Sequence, residues 1–82
     1  MPGLPAQLPW RRFVCVLKSL GYQELSSKAG AARSFHNPNG QPPVVTFHEP
    51  HKGDTLRLGT LSEYLRKLQL SREEFLDLLR HC

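Results

Sequence analysis

The residues of this sequence that could do chemistry are concentrated in one stretch, residues 28–36. That stretch reads Lys-Ala-Gly-Ala-Ala-Arg-Ser-Phe-His, a run of small residues with two cations and a histidine close by. Glycine lets a ligand approach the backbone closely, and the N–H groups of a loop can point at a phosphate. Lys28 and Arg33 flank Gly30 and could hold the same phosphate. The pattern indicates a phosphate-binding loop, while a plain turn with two solvated cations is the competing interpretation.

Four further side chains extend this candidate site. Ser34 and His36 are two residues apart, so on a strand their side chains share a face; an ordinary histidine beside a turn is the other interpretation of His36. His51 and Lys52 could add contacts to a polyanion near the loop. His48 and His51 form a His-x-x-His pair, but zinc sites have at least a third protein ligand. We therefore predict no metal site.

The positive charge of the chain is unevenly distributed. The formal net charge is +4, and all of it lies before residue 61, where the sequence has seven Lys or Arg residues and three acidic residues. From residue 61 onward, four cations are balanced by four acids. A local basic surface favours a polyanionic partner, of which RNA and DNA are the commonest. A solvated basic surface without a partner fits the charge equally well.

The length and the cysteines narrow the class of protein further. A chain of 82 residues makes one small domain, near the lower limit for a single core. Its longest apolar run, residues 13–17, is far too short to cross a bilayer, and the first residues do not resemble a secretory signal. We expect a soluble cytoplasmic protein. Cys15 and Cys82 are expected to be a buried thiol and a tail thiol rather than a disulfide or metal site.

Apolar periodicity predicts a helix close to the beginning of the chain. The helix begins near Pro9, because the N–H that proline lacks is not needed in a first turn. The apolar residues that recur at i, i+3, i+4 and i+7 are Trp10, Phe13, Val14 and Leu17. Gly21 ends the helix as a left-handed cap. The Pro- and Gly-rich residues 1–8 are expected to form a loose arm, with the domain proper at residues 9–82.

Three short strands are predicted to follow. The first falls within residues 22–28, the second covers residues 32–37, and the third, residues 44–48, has the clearest strand composition. Phe35 is the core residue of the second strand. Residues 37–40 read Asn-Pro-Asn-Gly, which predicts a tight reversal between the second and third strands.

Two further helices complete the prediction. Thr60 and Glu63 have the spacing of a capping box at the start of one, and Ser71 and Glu74 repeat it for a shorter last helix. The order is then helix, three antiparallel strands, helix and a small extra helix, an α+β fold. Packing both main helices on one face of the sheet is the economical arrangement. That leaves the other face free for a ligand.

Several pieces of the sequence, taken in order, resemble the HicA toxins. They are residues 17–22, residues 28–30 followed by Phe35, residues 56–61 and residues 70–76. Together they cover roughly residues 10–80. The resemblance implies a double-stranded-RNA-binding-like α-β-β-β-α fold and a small toxin that cleaves messenger RNA and so inhibits translation. It also implies that cleavage needs no metal or small-molecule cofactor, and that a HicB antitoxin covers the active face.

HicA toxins carry their catalytic histidine in a Gly-Ser-His-x-x-Phe loop, and here the chain departs from the family. Counting back from Phe35 puts the glycine at Gly30, the serine at Ala31 and the histidine at Ala32. An alanine cannot take a proton from a ribose 2′-hydroxyl, and a general base contributes about 10²- to 10⁴-fold in rate. Ala32 marks either an engineered His-to-Ala variant, which we favour, or a naturally different member, or a chain in which another histidine acts.

The resulting prediction is a HicA-like endoribonuclease, inactive in this form because Ala32 replaces the general base. The RNA-binding residues that the resemblance and the residue types suggest are Lys28, Gly30, Arg33, Ser34, His36, His51 and Lys52. A non-catalytic RNA-binding module of the same fold is the first alternative. A protein-interaction module whose basic face binds an acidic partner is the second.

Overall fold

The computed structural model describes residues 3–25, 30, 32–40, 42–51 and 54–82. The elements are, in chain order, β1 (Gln7–Pro9), α1 (Trp10–Ser19), β2 (Gln23–Glu24), β3 (Ala32–His36), β4 (Val44–His48), β5 (Thr55–Arg57), α2 (Leu58–Lys67) and α3 (Arg72–Arg80). Strands β2, β3 and β4 form an antiparallel sheet in that order. The predicted α+β fold, with its helix, three strands, helix and extra helix, is confirmed.

One face of the three-stranded sheet carries the core. Phe35, Val45 and Phe47 are buried on it, and both main helices supply partners for them. The ring of Phe47 lies 5.1 Å from that of Phe13 in α1 and 4.6 Å from that of Tyr64 in α2, centroid to centroid. Both main helices therefore cover the same face, as predicted.

The opposite face of the sheet is not covered by a helix of the described chain. Because side chains alternate along a strand, this open face is made of Ala32, Ser34, His36, Val44, Thr46 and His48. The β4 members are exposed while the β4 residues between them are buried. We call this surface the open face below.

Several predicted boundaries agree with the structure. Helix α1 starts directly after Pro9, and Gly21 follows its end with a φ of +102°. The capping box of α3 is confirmed: the Glu74 N–H donates to Ser71 Oγ at 3.1 Å, and the Ser71 N–H donates to Glu74 Oε1 at 3.3 Å. The reversal at residues 37–40 is also present, closed by a bond from the Gly40 N–H to the Asn37 carbonyl at 2.9 Å.

The expected loose arm needs a correction at its end. Gln7 and Leu8 belong to β1, which pairs with β5 in a second, two-stranded antiparallel sheet. Leu8 is only 1% exposed and is part of the core. Burial of this leucine attaches the segment to the domain, which the Pro-rich composition around it did not indicate.

The predicted capping box of α2 is wrong. The helix begins at Leu58, so Thr60 lies inside its first turn, and no described side chain caps the start. Strand β5 runs straight into the helix, and the Leu58 N–H donates to the carbonyl of Ala6 at 3.2 Å. The residue just before β1 therefore supplies the partner that a capping residue would otherwise provide.

The prediction of two separate thiols is also wrong, because Cys15 and Cys82 form a disulfide. Helix α3 packs against α1, and the Arg12 guanidinium donates to the Leu79 carbonyl at 3.2 Å. This packing brings the two cysteine Cα atoms to 5.9 Å, within the range that a disulfide spans. No described helix combines the length and the apolar character needed to span a membrane.

Candidate functional site

Gly30, two residues before β3, is held by a side chain of that strand. Gly30 has a φ of +48°, in the left-handed region that glycine adopts without strain. The Arg33 guanidinium Nη1 donates to the Gly30 carbonyl at 2.7 Å and to the Ala32 carbonyl at 3.1 Å. Arg33 thus folds back and holds the backbone carbonyls of Gly30 and Ala32.

Two carboxylates hold Arg33 in that position. Its Nε lies 3.0 Å from Glu49 Oε1 and 3.9 Å from Glu24 Oε2. The side chains are 27% exposed for Arg33, 35% for Glu49 and 44% for Glu24, so solvent weakens both pairs without removing them. Arg33 is paired with Phe47 across the sheet and so lies on the face opposite the open face. The sequence suggests a phosphate-binding role for Arg33, whereas the partners observed for it here are protein groups.

The open face brings small polar groups together next to the loop. Ser34 lies opposite Thr46, and their hydroxyl oxygens share a hydrogen bond at 2.9 Å. Ala32, at the loop end of β3, lies opposite His48. His36 lies at the other end of the strand, opposite Val44. Position 32 is therefore close to Ser34 and His48, while His36 is four residues away.

A groove continues from His48 toward the small sheet and α2. It has a volume of about 620 Å³, and His51, Asp54, Arg57, Thr60 and Tyr64 are among the residues that line it together with His48. This volume is in the range of pockets that hold small organic ligands. The described residues contain no group of three His, Cys, Asp or Glu side chains that could hold a metal ion.

The predicted site residues fall into three groups: those at the loop end of β3 or in the groove, one at the far end of β3, and those outside the described residues. The structure brings Gly30, Ala32, Arg33 and Ser34 together at the loop, and it places His51 in the adjoining groove. His36 lies at the distant end of β3. Lys28 and Lys52 lie outside the described residues, as does Ala31.

Several groups at the site are not predicted from the sequence. Glu24 and Glu49 hold Arg33, Thr46 is bonded to Ser34, and the hydroxyl of Tyr64 is bonded to the backbone of His48. The alternation of β4 was a usable signal for Thr46 and His48, since it puts both residues on the side away from the buried Phe47. The two acids carried no local signal, because they meet Arg33 only after the sheet has formed.

Comparison with known proteins identifies the family. The family model described as the HicA toxin of bacterial toxin–antitoxin systems matches residues 10–70. Neither a curated protein nor a solved structure gives a significant match to the chain. The matched segment contains α1, the three-stranded sheet and α2, which together position the loop and the open face. This chain therefore belongs to the HicA family of toxins, whose members are endoribonucleases of bacterial toxin–antitoxin systems.

Proposed function

We propose that this chain binds messenger RNA at the loop end of its open face, and that it does not cleave the RNA because Ala32 replaces the general base. The location of Ala32 is the observation that carries the proposal. It lies beside Gly30, on the exposed side of β3, next to the paired hydroxyls of Ser34 and Thr46. A side chain at this position meets a ligand on the sheet surface without entering the core.

The chemistry that this arrangement supports is attack of a ribose 2′-hydroxyl on the adjacent phosphate. A histidine at position 32 would take the 2′-hydroxyl proton, and the products would be a 2′,3′-cyclic phosphate and a 5′-hydroxyl. The backbone at Gly30 is open, since a Cβ atom added there would meet no described atom within 4 Å. A phosphate could therefore approach this backbone closely.

The residues around position 32 divide between binding and positioning in this proposal. Gly30 and Ser34 face the RNA directly, and His36 and His51 contact it farther along the chain. Lys28 and Lys52 keep the role of phosphate ligands that their charge suggests. Arg33 holds the loop instead, because its guanidinium already bonds the Gly30 carbonyl and pairs with Glu49.

The same proposal covers the partner and the cellular effect. Members of toxin–antitoxin systems act beside a cognate antitoxin, and we propose a HicB-like protein that covers the open face. An active form would inhibit translation by cutting messenger RNA. A partner on the open face would prevent both RNA binding and RNA cleavage.

The test is the variant Ala32→His, incubated as purified protein with a messenger RNA. We expect cleavage with 2′,3′-cyclic phosphate ends, whereas the unaltered chain and Ala32→Gln, a control of similar size without a base, leave the RNA intact. If Ala32→His binds RNA without cutting it, the non-catalytic RNA-binding module is the better description. If it binds an acidic protein but no RNA, the protein-interaction module replaces both.

A further inference from the structure

His48 is the histidine whose position in the sheet relates it directly to position 32. The two residues are cross-strand partners, so their side chains emerge on the same face. The Tyr64 hydroxyl accepts from the His48 N–H at 3.1 Å and donates to the His48 carbonyl at 3.0 Å. The backbone groups of His48 therefore point toward α2 and away from Ala32.

This makes the pair of the non-hydrogen-bonded kind, in which the side chains come closest. In such a pair the Cβ atoms are about 4.5–5.5 Å apart. The next equivalent pair along the ladder shows the effect, since the hydroxyls of Ser34 and Thr46 meet at 2.9 Å. Two imidazoles at positions 32 and 48 are thus close enough to contact the same phosphate.

The other histidines lack this relation. His36 is four residues from position 32 along β3, about 13 Å at the rise of a strand. His51 lies in the loop after β4 and lines the groove, and His81 follows α3, with its ring bonded to the Asp77 carbonyl.

A second observation about His48 concerns the groove beside β4. His48 lines it, so RNA that crosses position 32 toward the groove passes His48 next. The other ionisable groups that line this groove are Glu49, His51, Asp54, Arg57 and Tyr64. Lys67, on α2, reaches the edge of β4 two residues away, where it donates to the Thr46 carbonyl at 3.2 Å.

From this geometry we propose that His48 is the general acid of RNA cleavage, a role that rests on the function proposed above. As the base at position 32 takes the 2′-hydroxyl proton, the 2′-oxygen bonds to phosphorus and the bond from phosphorus to the 5′-oxygen breaks. His48 gives its proton to that departing oxygen. The imidazole at position 32 gains one proton and His48 loses one, so the step balances. Proton exchange with water then returns both imidazoles to their starting states.

The experiment compares His48→Gln with His81→Gln, each in the Ala32→His background. His48→Gln is expected to lower kcat about 10²-fold with little change in KM, while His81→Gln keeps the parent rate. A general acid must be protonated, so the decline of the rate at alkaline pH should disappear with His48→Gln. An RNA with sulfur at the leaving 5′ position needs no acid, since a thiolate departs unprotonated, and should restore the rate to within a few-fold of the parent.

The outcomes separate the two proposals. If Ala32→His cleaves but His48→Gln lowers the rate equally for the oxygen and the sulfur substrate, His48 is structural and only the general-acid proposal fails. If Ala32→His cleaves neither substrate, the cleavage function fails and the general acid fails with it.

A second measurement does not depend on the folding of any variant. The imidazole resonances of the unaltered chain are recorded by NMR with and without an RNA oligonucleotide that carries one 2′-deoxyribose at the scissile position. A phosphate bound beside His48 should shift the resonances of its ring, while those of His81 stay unchanged. Unchanged His48 resonances in the saturated complex would overturn the proposal.

Discussion

The two ends of the hairpin formed by β3 and β4 are built differently. At the turn end, residues 37–40, Asn37 is 7% exposed, and both the nitrogen and the oxygen of its side-chain amide are hydrogen-bonded. Its Nδ2 donates to the Leu20 carbonyl at 3.0 Å, and its Oδ1 accepts from the Asn39 N–H at 3.1 Å. The Tyr22 hydroxyl donates to the Pro42 carbonyl at 2.6 Å beside it. This end is closed by neutral, partly buried hydrogen bonds.

The loop end, at Gly30 and Ala32, is held by charge and left open. Arg33 bonds the loop carbonyls while Glu49 and Glu24 hold Arg33, and all three side chains remain partly exposed. A rigid turn end fixes the strand register, which then decides that position 32 lies opposite His48. An open loop end leaves room for a ligand. The difference supports the proposal that the loop end binds RNA, while the turn end serves stability.

The largest expected effect contrasts the glycines at the two ends. A Cβ at Gly40 would lie 2.8 Å from the Tyr22 hydroxyl and 2.9 Å from Asn37 Nδ2, both of which are held by hydrogen bonds. Gly40→Ala should therefore lower the free energy of unfolding by about 1–3 kcal/mol. Gly30→Ala meets no described atom within 4 Å and should cost about 1 kcal/mol or less, through its left-handed backbone.

Urea unfolding measures the stability of both variants, and RNA binding measures the function. Gly30→Ala should weaken RNA binding because its methyl group obstructs the phosphate, whereas Gly40→Ala should leave the affinity of the folded protein unchanged. Equal losses of stability, or a larger loss of RNA affinity in Gly40→Ala, would contradict the division between the two ends.

The next effect is a pH dependence at the turn end. Burial raises the pKa of the Tyr22 phenol above its ordinary value, so the folded protein holds this proton more tightly than the unfolded chain does. The contribution of Tyr22 is fully present below the unfolded pKa of about 10 and is lost as pH rises through the higher folded pKa. Tyr22→Phe should cost about 1 kcal/mol at neutral pH and flatten the alkaline decline. The check is urea unfolding of both proteins from about pH 8 to pH 11, on either side of the ordinary phenol pKa; parallel curves would contradict it.

The smallest effect on stability is expected at the loop end. Glu49→Gln removes one partly exposed partner of Arg33 and should change the free energy of unfolding by less than about 1 kcal/mol. Cleavage by Ala32→His should nevertheless fall several-fold, because the loop is held less firmly. Glu63→Gln, which breaks the exposed pair with Arg66 at 3.3 Å, is the matched control. Equal rates of RNA cleavage in the two variants would show that Glu49 does not position the loop.

Local patterns predicted much of this fold. The apolar period of α1, the branched and aromatic residues of β4, the reversal at residues 37–40 and the capping box of α3 all depend on neighbours within a few residues. The pairing of β1 with β5 joins segments nearly fifty residues apart, each only three residues long. Such short strands have too few residues to show alternation. Because β5 runs directly into α2, the helix also begins earlier than the Thr60 capping box predicted.

For the candidate site, the spacing to Phe35 singled out position 32, and strand alternation puts that position on the open face once the bounds of β3 are known. The engagement of Arg33 by Glu24 and Glu49, and the pairing of position 32 with His48, depend on strand register. Register follows from how the turn end packs in three dimensions, so these contacts were not predicted.

The bonds made by α2 along β4 have a consequence for association. β4 is an edge strand of the main sheet, and the unpaired backbone groups of an edge can recruit a strand from another chain. Here Lys67 donates a hydrogen bond to the Thr46 carbonyl, and the Tyr64 hydroxyl is bonded to both backbone groups of His48. At these two residues a foreign strand would have to displace side chains of α2 before it could pair. The helix thus hinders sheet extension, and the aggregation to which it leads, over this part of the edge.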